Sequence, residues 1–323
     1  MGRALVTGCA GFIGSHLTES LLEDGLAVVG VDCFNPNYDR AVKLENLSRA
    51  RDFDAFQLVE SDVSLGGAEE LVADADVVFH LAGEPGVRAS WGRTFDRYLQ
   101  NNVLATQLLL EAARTEPERR FVYASSSSIY GQAEGLPTCE TATPRPFSPY
   151  GVTKLAAEHL CSLYHGNYGL ETVSLRYFSV YGPRQRPDMA FHRFCRAALE
   201  GTTVRVYGDG RQTRDFTYVA DIVAATRAAA TSPAAAGCVY NVGGGSRVSV
   251  NGTLRLLEDL AGRAISVDYV ARERGDVTDT AADTARAAKD LGFAPGTTLE
   301  SGLQAELAWT ESRVRGEAGA AIG

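Results

Sequence analysis

Residues 4–14 read Ala4-Leu5-Val6-Thr7-Gly8-Cys9-Ala10-Gly11-Phe12-Ile13-Gly14. The first four are small, apolar or β-branched and indicate a short strand. The apolar spacing from residue 12 to 22 predicts a helix directly after the turn. Three glycines in a G-x-x-G-x-x-G spacing let the backbone turn tightly and approach a ligand closely. This strand–turn–helix unit predicts a pyrophosphate bound at the positive end of the helix.

The same alternation of strand and helix continues along the chain. A second strand, residues 27–31, ends at Asp32, which follows Gly14 by 18 residues. A carboxylate there can accept both hydroxyls of an adenosine ribose and would repel a 2′-phosphate. No arginine follows Asp32 directly, so we predict NAD rather than NADP. After a third strand at 56–59, the Asp62 carboxylate and the Val63 amide can meet an adenine edge.

Two more strands, at 76–82 and 120–124, flank a long helix predicted at 95–113. Strands that alternate with helices indicate an α/β fold with a doubly wound parallel (Rossmann) sheet, whose ligands lie outside the carboxyl ends of the strands. From residue 182 onward the pattern loosens into shorter elements. We therefore expect a smaller C-terminal substrate-binding domain.

Composition argues against several classes of protein. There are 31 Lys and Arg against 40 Asp and Glu, a net charge of −9, and no basic block, which argues against nucleic acid as a partner. No apolar run approaches the roughly 20 residues of a membrane span, and no signal segment opens the sequence, so we expect a cytoplasmic protein without a membrane partner. Six scattered cysteines and five histidines show no ligand spacing, and we predict no metal.

A tyrosine and a lysine four residues apart open another predicted helix. Tyr150 and Lys154 lie within the segment SPYGVTK, residues 148–154. Residues at i and i+4 share a helical face, so the ammonium can stand beside the phenol and favour the phenolate. The fifth strand runs into four serines at 125–128, which brings hydroxyl groups to the same edge of the sheet. A solvated helix face is the alternative for the Tyr–Lys pair alone.

In content and order, these motifs resemble the extended short-chain dehydrogenase/reductase family, and within it the NAD-dependent sugar-nucleotide epimerases. The resemblance continues through RYFSVYGP at 176–183, RDFTYV at 214–219 and GDV at 275–277. It implies that Ser126 hydrogen-bonds the sugar oxygen that becomes a ketone and that Tyr150 takes the proton of that oxygen. Lys154 would hold the nicotinamide ribose and lower the Tyr150 pKa. The implied cofactor-binding residues are Gly8, Gly11, Phe12, Ile13, Gly14, Asp32, Asp62, Val63, Leu81, Ala82, Asn102, Tyr150 and Lys154.

The resemblance also implies a UDP-sugar substrate and a homodimer that pairs the helix ending near residue 113 with the one beginning at residue 150. Residues 1–181, with 213–247 returning, would form the NAD-binding domain. Residues 182–212 and 248–315 would form the UDP-sugar-binding domain, and 316–323 a flexible tail. The implied substrate-binding residues are Arg88, Ser127, Ser128, Ser179, Arg186, Arg214 and Asp276.

The segment YGPRQRPDMA at 181–190 resembles UDP-glucuronate 4-epimerases, which interconvert UDP-glucuronate and UDP-galacturonate. An arginine fork binds a carboxylate through paired charge-assisted hydrogen bonds, so we predict that Arg186 and Ser179 hold the C5 carboxylate of the sugar. Arg214 is expected on the phosphates and Asp276 near the uridine ribose, whereas Arg88 could reach either the carboxylate or a phosphate.

Other members of the family differ at a few positions. Sugar-nucleotide 4,6-dehydratases carry an Asp-Glu pair where this chain has Ser127 and Ser128, so dehydration is set aside. Glu84 departs from the usual epimerase pattern, and an acid near C4–C5 could serve decarboxylation to UDP-xylose. UDP-glucuronate decarboxylase is therefore the first alternative. UDP-glucose 4-epimerase and a non-catalytic nucleotide-sugar-binding protein follow it.

Overall fold

A computed structural model describes residues 2–320 of the chain. Its strands are Arg3–Thr7 (β1), Ala27–Asp32 (β2), Phe56–Glu60 (β3), Val77–His80 (β4), Arg120–Ser126 (β5), Glu171–Tyr177 (β6), Ser179–Tyr181 (β7), Val204–Tyr207 (β8), Thr213–Tyr218 (β9), Cys238–Val242 (β10), Ser246–Ser249 (β11) and Val267–Val270 (β12). Its α-helices are Phe12–Glu23 (α1), Arg40–Asn46 (α2), Ala68–Val72 (α3), Phe95–Tyr98 (α4), Ala105–Ala113 (α5), Pro149–Tyr168 (α6), Ala190–Glu200 (α7), Val219–Thr231 (α8), Val250–Ala261 (α9), Ala285–Leu291 (α10) and Leu299–Ala320 (α11).

The large sheet has seven parallel strands in the order β10-β6-β5-β4-β1-β2-β3. Apolar side chains of α1, α8 and α10 pack on one face of it, and those of α3, α5 and α6 pack on the other. Every residue of β5 is buried, as expected for a central strand covered on both faces. The predicted doubly wound parallel α/β fold is confirmed.

The predicted long helix at 95–113 is divided into three parts. A π-helical segment, Leu99–Leu104, lies between α4 and α5. Such wide turns occur often beside functional sites. Here the segment carries Asn102 into the protein, where only 1% of its surface is exposed. Hydrophobic periodicity predicts the helix but not this local change of pitch.

The C-terminal part forms two small sheets and a separate core. One sheet has the order β11-β9-β7 and the other pairs β12 with β8. Helices α7, α9 and α11 cover them with a third hydrophobic cluster. Residues 213–247 are predicted to return to the NAD-binding domain, but β9 pairs with β7 and β11 instead. Within that segment, α8 packs its apolar face on the large sheet and β10 pairs with β6 in it.

Three further features concern the ends and the surface. Helix α11 includes residues 316–320 of the predicted tail, and residues 321–323 lie outside the described part of the chain. Between residues 2 and 320 no helix has both the length and the apolar character needed to cross a membrane. All six cysteines are free thiols.

Candidate active site

A cavity of about 340 Å³ runs along the carboxyl edge of the large sheet. Its walls come from the ends of β1, β2, β4 and β5 and from the segment that joins β6 to β7. It brings together most of the residues that the sequence predicts for cofactor and chemistry. Those lining it are Gly8, Gly11, Phe12, Ile13, Gly14, Asp32, Asp62, Val63, Leu81, Ala82, Ser126, Tyr150, Lys154, Ser179 and Arg186.

The glycine-rich turn is packed so closely that side chains do not fit. Gly8 has a φ of 72°, and a Cβ placed on Gly14 would lie 2.1 Å from the Gly8 carbonyl oxygen. Gly11 caps α1 without any side-chain hydrogen bond, so no side chain of the cap satisfies the first amides of the helix. A bare helix N-terminus on a cavity is suited to a phosphate group. The turn therefore fits the pyrophosphate of a dinucleotide.

We expect Gly14→Ala to abolish cofactor retention, because the added methyl group would collide with backbone rather than with a movable side chain. Gly166→Ala is the matched control, since it lies inside α6 and a Cβ there meets nothing within 4 Å. The control should stabilise the fold by up to about 1 kcal/mol. Bound NAD measured after gel filtration, together with thermal melting, checks both variants. Normal NAD content in Gly14→Ala would contradict the packing argument.

Asp32 lies at the far end of the cavity, where the sequence predicts the adenosine ribose. Its carboxylate accepts hydrogen bonds from the amides of Ala10 at 3.2 Å and Phe34 at 2.8 Å. Lys43 was not predicted as a site residue. Its buried ammonium lies 3.7 Å from the same carboxylate and donates to Asn35 Oδ1 at 2.7 Å. Lys43 is on α2, a short helix whose sequence has no clear hydrophobic periodicity. It balances the Asp32 charge inside the protein.

Asn102 does not line this cavity, although the resemblance places it in the cofactor site. Its amide donates to the Glu84 carbonyl at 3.1 Å and to Thr153 Oγ1 at 3.0 Å, and its carbonyl accepts the Glu84 amide at 2.7 Å. The side chain therefore lies behind the Gly83–Glu84 backbone and holds that backbone against α6. Its effect on the cavity is indirect, through the shape of this wall.

Tyr150 lies half-buried in the cavity lining that also includes Ser126. Burial raises the pKa of the Tyr150 phenol, and a hydrogen bond with Ser126 and the charge of Arg186 act in the opposite direction. Lys154 is predicted to lower this pKa, but its ammonium donates to the Ala124 carbonyl at 2.8 Å instead. Burial lowers the pKa of Lys154 to about 8. Arg186 thus acts on the Tyr150 pKa in the direction that is predicted for Lys154, and the effect of Lys154 itself stays a prediction.

The serines after Ser126 do not line the cavity. Ser126 Oγ accepts the Ser128 amide at 3.1 Å and donates to Ser128 Oγ at the same distance. Ser127 accepts the Tyr130 amide with its carbonyl and begins a short 3₁₀ turn. Ser128 therefore orients Ser126, and a substrate contact by Ser127 or Ser128 stays a prediction.

Glu84 is buried on the cavity wall, but its carboxylate is held by partners. Oε2 accepts a hydrogen bond from Asn35 Nδ2 at 3.3 Å and pairs with Arg97 Nη2 at 3.4 Å. Asn35 follows β2 and Glu84 follows β4, so the contact joins the two loops on either side of the glycine-rich turn. These partners give Glu84 a structural role that needs no acid chemistry.

Arg186 lies on the cavity wall in the segment 182–189. Its Nε and Nη2 atoms donate to the two carboxylate oxygens of Asp188, each at 3.0 Å. The neighbouring Arg184 has a φ of 68° and pairs with Glu19 of α1 at 2.8 Å. The two arginines therefore point to different partners, and only Arg186 lines the cavity together with Ser179.

A second cluster of charged groups lies outside the cavity lining. Arg88 pairs with Asp276 at 2.7 Å and stacks over the Tyr207 ring at 3.9 Å. Arg214 donates to the carbonyls of Val277 at 2.7 Å and Thr278 at 3.0 Å, and burial lowers its pKa. Arg88 thus stands with the residues predicted for the nucleotide, not with Arg186. This placement favours a phosphate over the carboxylate as its target.

The model of the NAD dependent epimerase/dehydratase family matches residues 4–243 of the sequence. The chain belongs to this family. Within the NAD dependent epimerase/dehydratase family, it is 42% identical to the uncharacterized UDP-glucose epimerase YtcB of Bacillus subtilis, over 98% of this chain and 100% of that protein. It is 37% identical to the UDP-glucuronate 4-epimerase of Thermodesulfobacterium geofontis, over 97% and 98% of the two chains.

Among solved structures of family members, the chain is similar to the UDP-glucuronic acid 4-epimerase of Bacillus cereus in complex with UDP-glucuronic acid and NAD. The TM-score is 0.94 and the identity is 42%, over 96% of this chain and 99% of that one. The chain is equally similar in sequence, at 42% identity, to MoeE5 in complex with UDP-glucuronic acid and NAD, with a TM-score of 0.87 over 97% and 100% of the two chains. The family predicted from the sequence is confirmed.

Proposed function

We propose that this protein is an NAD-dependent UDP-glucuronate 4-epimerase, which interconverts UDP-glucuronate and UDP-galacturonate through a 4-keto sugar. The observation that carries the proposal is Arg186, an arginine fork on the wall of the cavity that also holds Ser179, Ser126 and Tyr150. A carboxylate is the group that such a fork binds best. The similarity to UDP-glucuronate 4-epimerases over nearly the whole chain supports the same substrate.

The residues around the glycine-rich turn would hold NAD. The bare N-terminus of α1 suits its pyrophosphate, and the Asp32 carboxylate suits its adenosine ribose. Bound there, NAD supplies the hydride acceptor and donor for C4 of the sugar. Asp62 and Val63 line the adenine end of the same cavity, and Lys154 lies at the other end beside Ala124 and Gly83. These residues fit the cofactor that the sequence predicts.

Tyr150 would move the proton of the sugar C4 hydroxyl. Desolvation raises the pKa of its phenol in the free protein, whereas the hydrogen bond with Ser126 and the charge of Arg186 favour the phenolate. Ser126 would turn its hydroxyl proton from Ser128 Oγ to the C4 oxygen, while the Ser128 amide keeps the Ser126 oxygen in place. The proton would pass from the C4 oxygen to Tyr150 and would return to the same oxygen after the ring has turned.

The carboxylate needs control once C4 is oxidised. The 4-keto sugar carries its C5 carboxylate β to a ketone, an arrangement that readily loses carbon dioxide. A fork that keeps the carboxylate charged and turned away from the carbonyl π system would prevent this loss. Arg186, with Ser179 beside it on the wall, would act as this clamp. Such a clamp would distinguish an epimerase from a decarboxylase that forms the same 4-keto intermediate.

We also propose the rest of the predicted organisation. The large sheet would form the NAD-binding domain, and the small sheets with α7, α9 and α11 would form the UDP-sugar-binding domain, with Arg88, Arg214 and Asp276 toward the nucleotide. A homodimer through α5 and α6 is supported by apolar side chains exposed on or next to these helices, namely Leu99, Leu104, Val152 and Leu163. Light scattering after gel filtration tests the dimer. The cytoplasmic location stays a prediction from sequence.

The deciding experiment incubates the protein with UDP-glucuronate and NAD and separates the products by chromatography. UDP-galacturonate without carbon dioxide is the expected result. A UDP-pentose with carbon dioxide would instead identify a decarboxylase, and activity only on UDP-glucose would remove the argument from Arg186. Binding of UDP-glucuronate and NAD without any turnover would identify a nucleotide-sugar-binding protein.

Glu84→Gln tests the role of the acid that departs from the family pattern. We expect turnover to change by less than about threefold, because the amide still accepts from Asn35 and only a half-exposed pair with Arg97 is lost. Neither form should release carbon dioxide from UDP-glucuronate. The measurement is the initial rate together with trapped ¹⁴CO₂ from labelled substrate. A drop of a hundredfold, or a change in carbon dioxide release, would give Glu84 a chemical role.

A further inference from the structure

The fork that is proposed to bind the substrate carboxylate holds a carboxylate of the protein itself. Both oxygens of Asp188 accept from Arg186, at 3.0 Å from Nε and 3.0 Å from Nη2. This is the bidentate geometry by which an arginine binds any carboxylate. The Arg186 side chain is 20% exposed and that of Asp188 is 62% exposed. The arginine on the cavity wall is thus the less exposed partner, and the aspartate lies toward solvent.

The backbone around this pair is fixed on several sides. Gln185 donates from its side chain to the Val180 carbonyl at 3.0 Å and accepts the His192 amide at 2.9 Å. The Met189 amide donates to the Arg186 carbonyl at 3.0 Å, which closes the turn around Asp188. The turn can therefore remain in place while the side chains change partners. Any exchange at the fork involves side-chain rotation only.

We propose that Asp188 is an internal competitor for the Arg186 fork, and that the acidic sugar binds by exchanging one carboxylate for another. This inference rests on the proposed function. Two charge-assisted hydrogen bonds are lost to Asp188 and two are formed to the substrate, while Asp188 turns into the solvent that already surrounds most of it. The fork is never left as an unpaired cation on the cavity wall, an arrangement that would be costly.

The exchange sets the affinity and the specificity of the site. With Asp188 present, the substrate gains only the difference between two similar ion pairs, so binding of the acidic sugar is weaker than an open fork would allow. A neutral sugar can bind while the Arg186–Asp188 pair stays intact. Asp188 thus determines specificity through its contact with Arg186 and does not itself bind the substrate.

The test measures binding of UDP-glucuronate and of UDP-glucose to the NAD-loaded protein by calorimetry. Turnover is prevented by carrying out every measurement in a Tyr150→Phe background. We expect Asp188→Asn to lower the Kd of UDP-glucuronate by about two- to fivefold, the size expected when a largely exposed competing ion pair is removed. The Kd of UDP-glucose should not fall. Asp188→Glu is the control that keeps a carboxylate, and it should bind both sugars more nearly as the parent does.

Other results would overturn the inference or the proposed function. If Asp188 merely positions Arg186 for the substrate, Asp188→Asn will bind UDP-glucuronate more weakly, and an unchanged or raised Kd overturns the inference while the proposed function stands. If the parent protein binds UDP-glucose but not UDP-glucuronate, the proposed function fails and this inference fails with it. Because Asp188 is largely exposed, its replacement should leave the melting temperature unchanged, which a thermal scan verifies on each variant.

Discussion

Tyr150→Phe is expected to lower the turnover of UDP-glucuronate by about a thousandfold, because a positioned proton acceptor contributes a factor of that order. The substitution removes one oxygen atom from a half-buried ring and leaves the cavity wall in place. Binding of NAD should therefore persist. The two measurements are the initial rate of epimerisation and the NAD content of the purified variant.

The matched control for Tyr150→Phe lies on the same helix. Tyr168→Phe removes the same atom at the end of α6, where the side chain is 48% exposed and packs against Tyr164, away from the cavity. Its turnover should stay within about twofold of the parent, as expected for a surface position. Unchanged turnover in Tyr150→Phe would remove the proton-transfer mechanism. A parallel loss of NAD would instead show that the phenol supports the structure of the cofactor site.

Arg186→Gln is expected to have the second large effect, and one that depends on the substrate. Without the fork, kcat/KM for UDP-glucuronate should fall by about a hundredfold, the scale of one or two hydrogen bonds to a charged group. The remaining turnover should release some carbon dioxide, because the carboxylate of the 4-keto sugar is no longer held away from the carbonyl. Rates with UDP-glucose, which has no carboxylate, should change much less. Product analysis with both sugars checks this split.

Arg211→Gln is the control for loss of one positive charge. The Arg211 side chain is 87% exposed, and its ion pair with Asp209 is long, at 3.9 Å. Its replacement should therefore leave kcat/KM for both substrates within about twofold of the parent value. If Arg186→Gln lowers kcat/KM for UDP-glucose as much as for UDP-glucuronate, then the main effect of Arg186 is on the phosphates or on Tyr150 and not on the carboxylate. That outcome would favour a UDP-glucose epimerase.

Much of the cofactor site follows from short segments of sequence. The glycine turn and Asp32 each lie directly after a strand, and the carboxyl ends of neighbouring parallel strands meet at one edge of the sheet. Local sequence is therefore enough to bring these residues together once the strands are recognised. The same reasoning places Ser126 and Tyr150 on the cavity. The positions of these residues are set by the strands and helices at whose ends they lie.

The partners of charged side chains could not be predicted in this way. Nothing near Lys154 in the sequence indicates that its ammonium donates to the Ala124 carbonyl, 30 residues away. The contact of Glu84 with Asn35 joins loops that are 49 residues apart. Long polar side chains have many rotamers, and the one adopted depends on which groups the fold brings within reach. The effect assigned to Lys154 on the Tyr150 pKa therefore stays a prediction.

The sequence by itself determined the parallel α/β fold, the family, and the residue types that bind a dinucleotide and move a proton. The fold follows from hydrophobic periodicity and the dinucleotide turn from the backbone requirements for glycine, which act over a few residues, whereas the family and the proton-moving residues follow from the resemblance in the order of the motifs. Only the tertiary structure decided that Asn102 lies behind the cavity wall, that Arg88 stands with Asp276, and that Asp188 occupies the Arg186 fork. Charge and burial depend on everything that packs around a group, and that environment exists only in the folded chain.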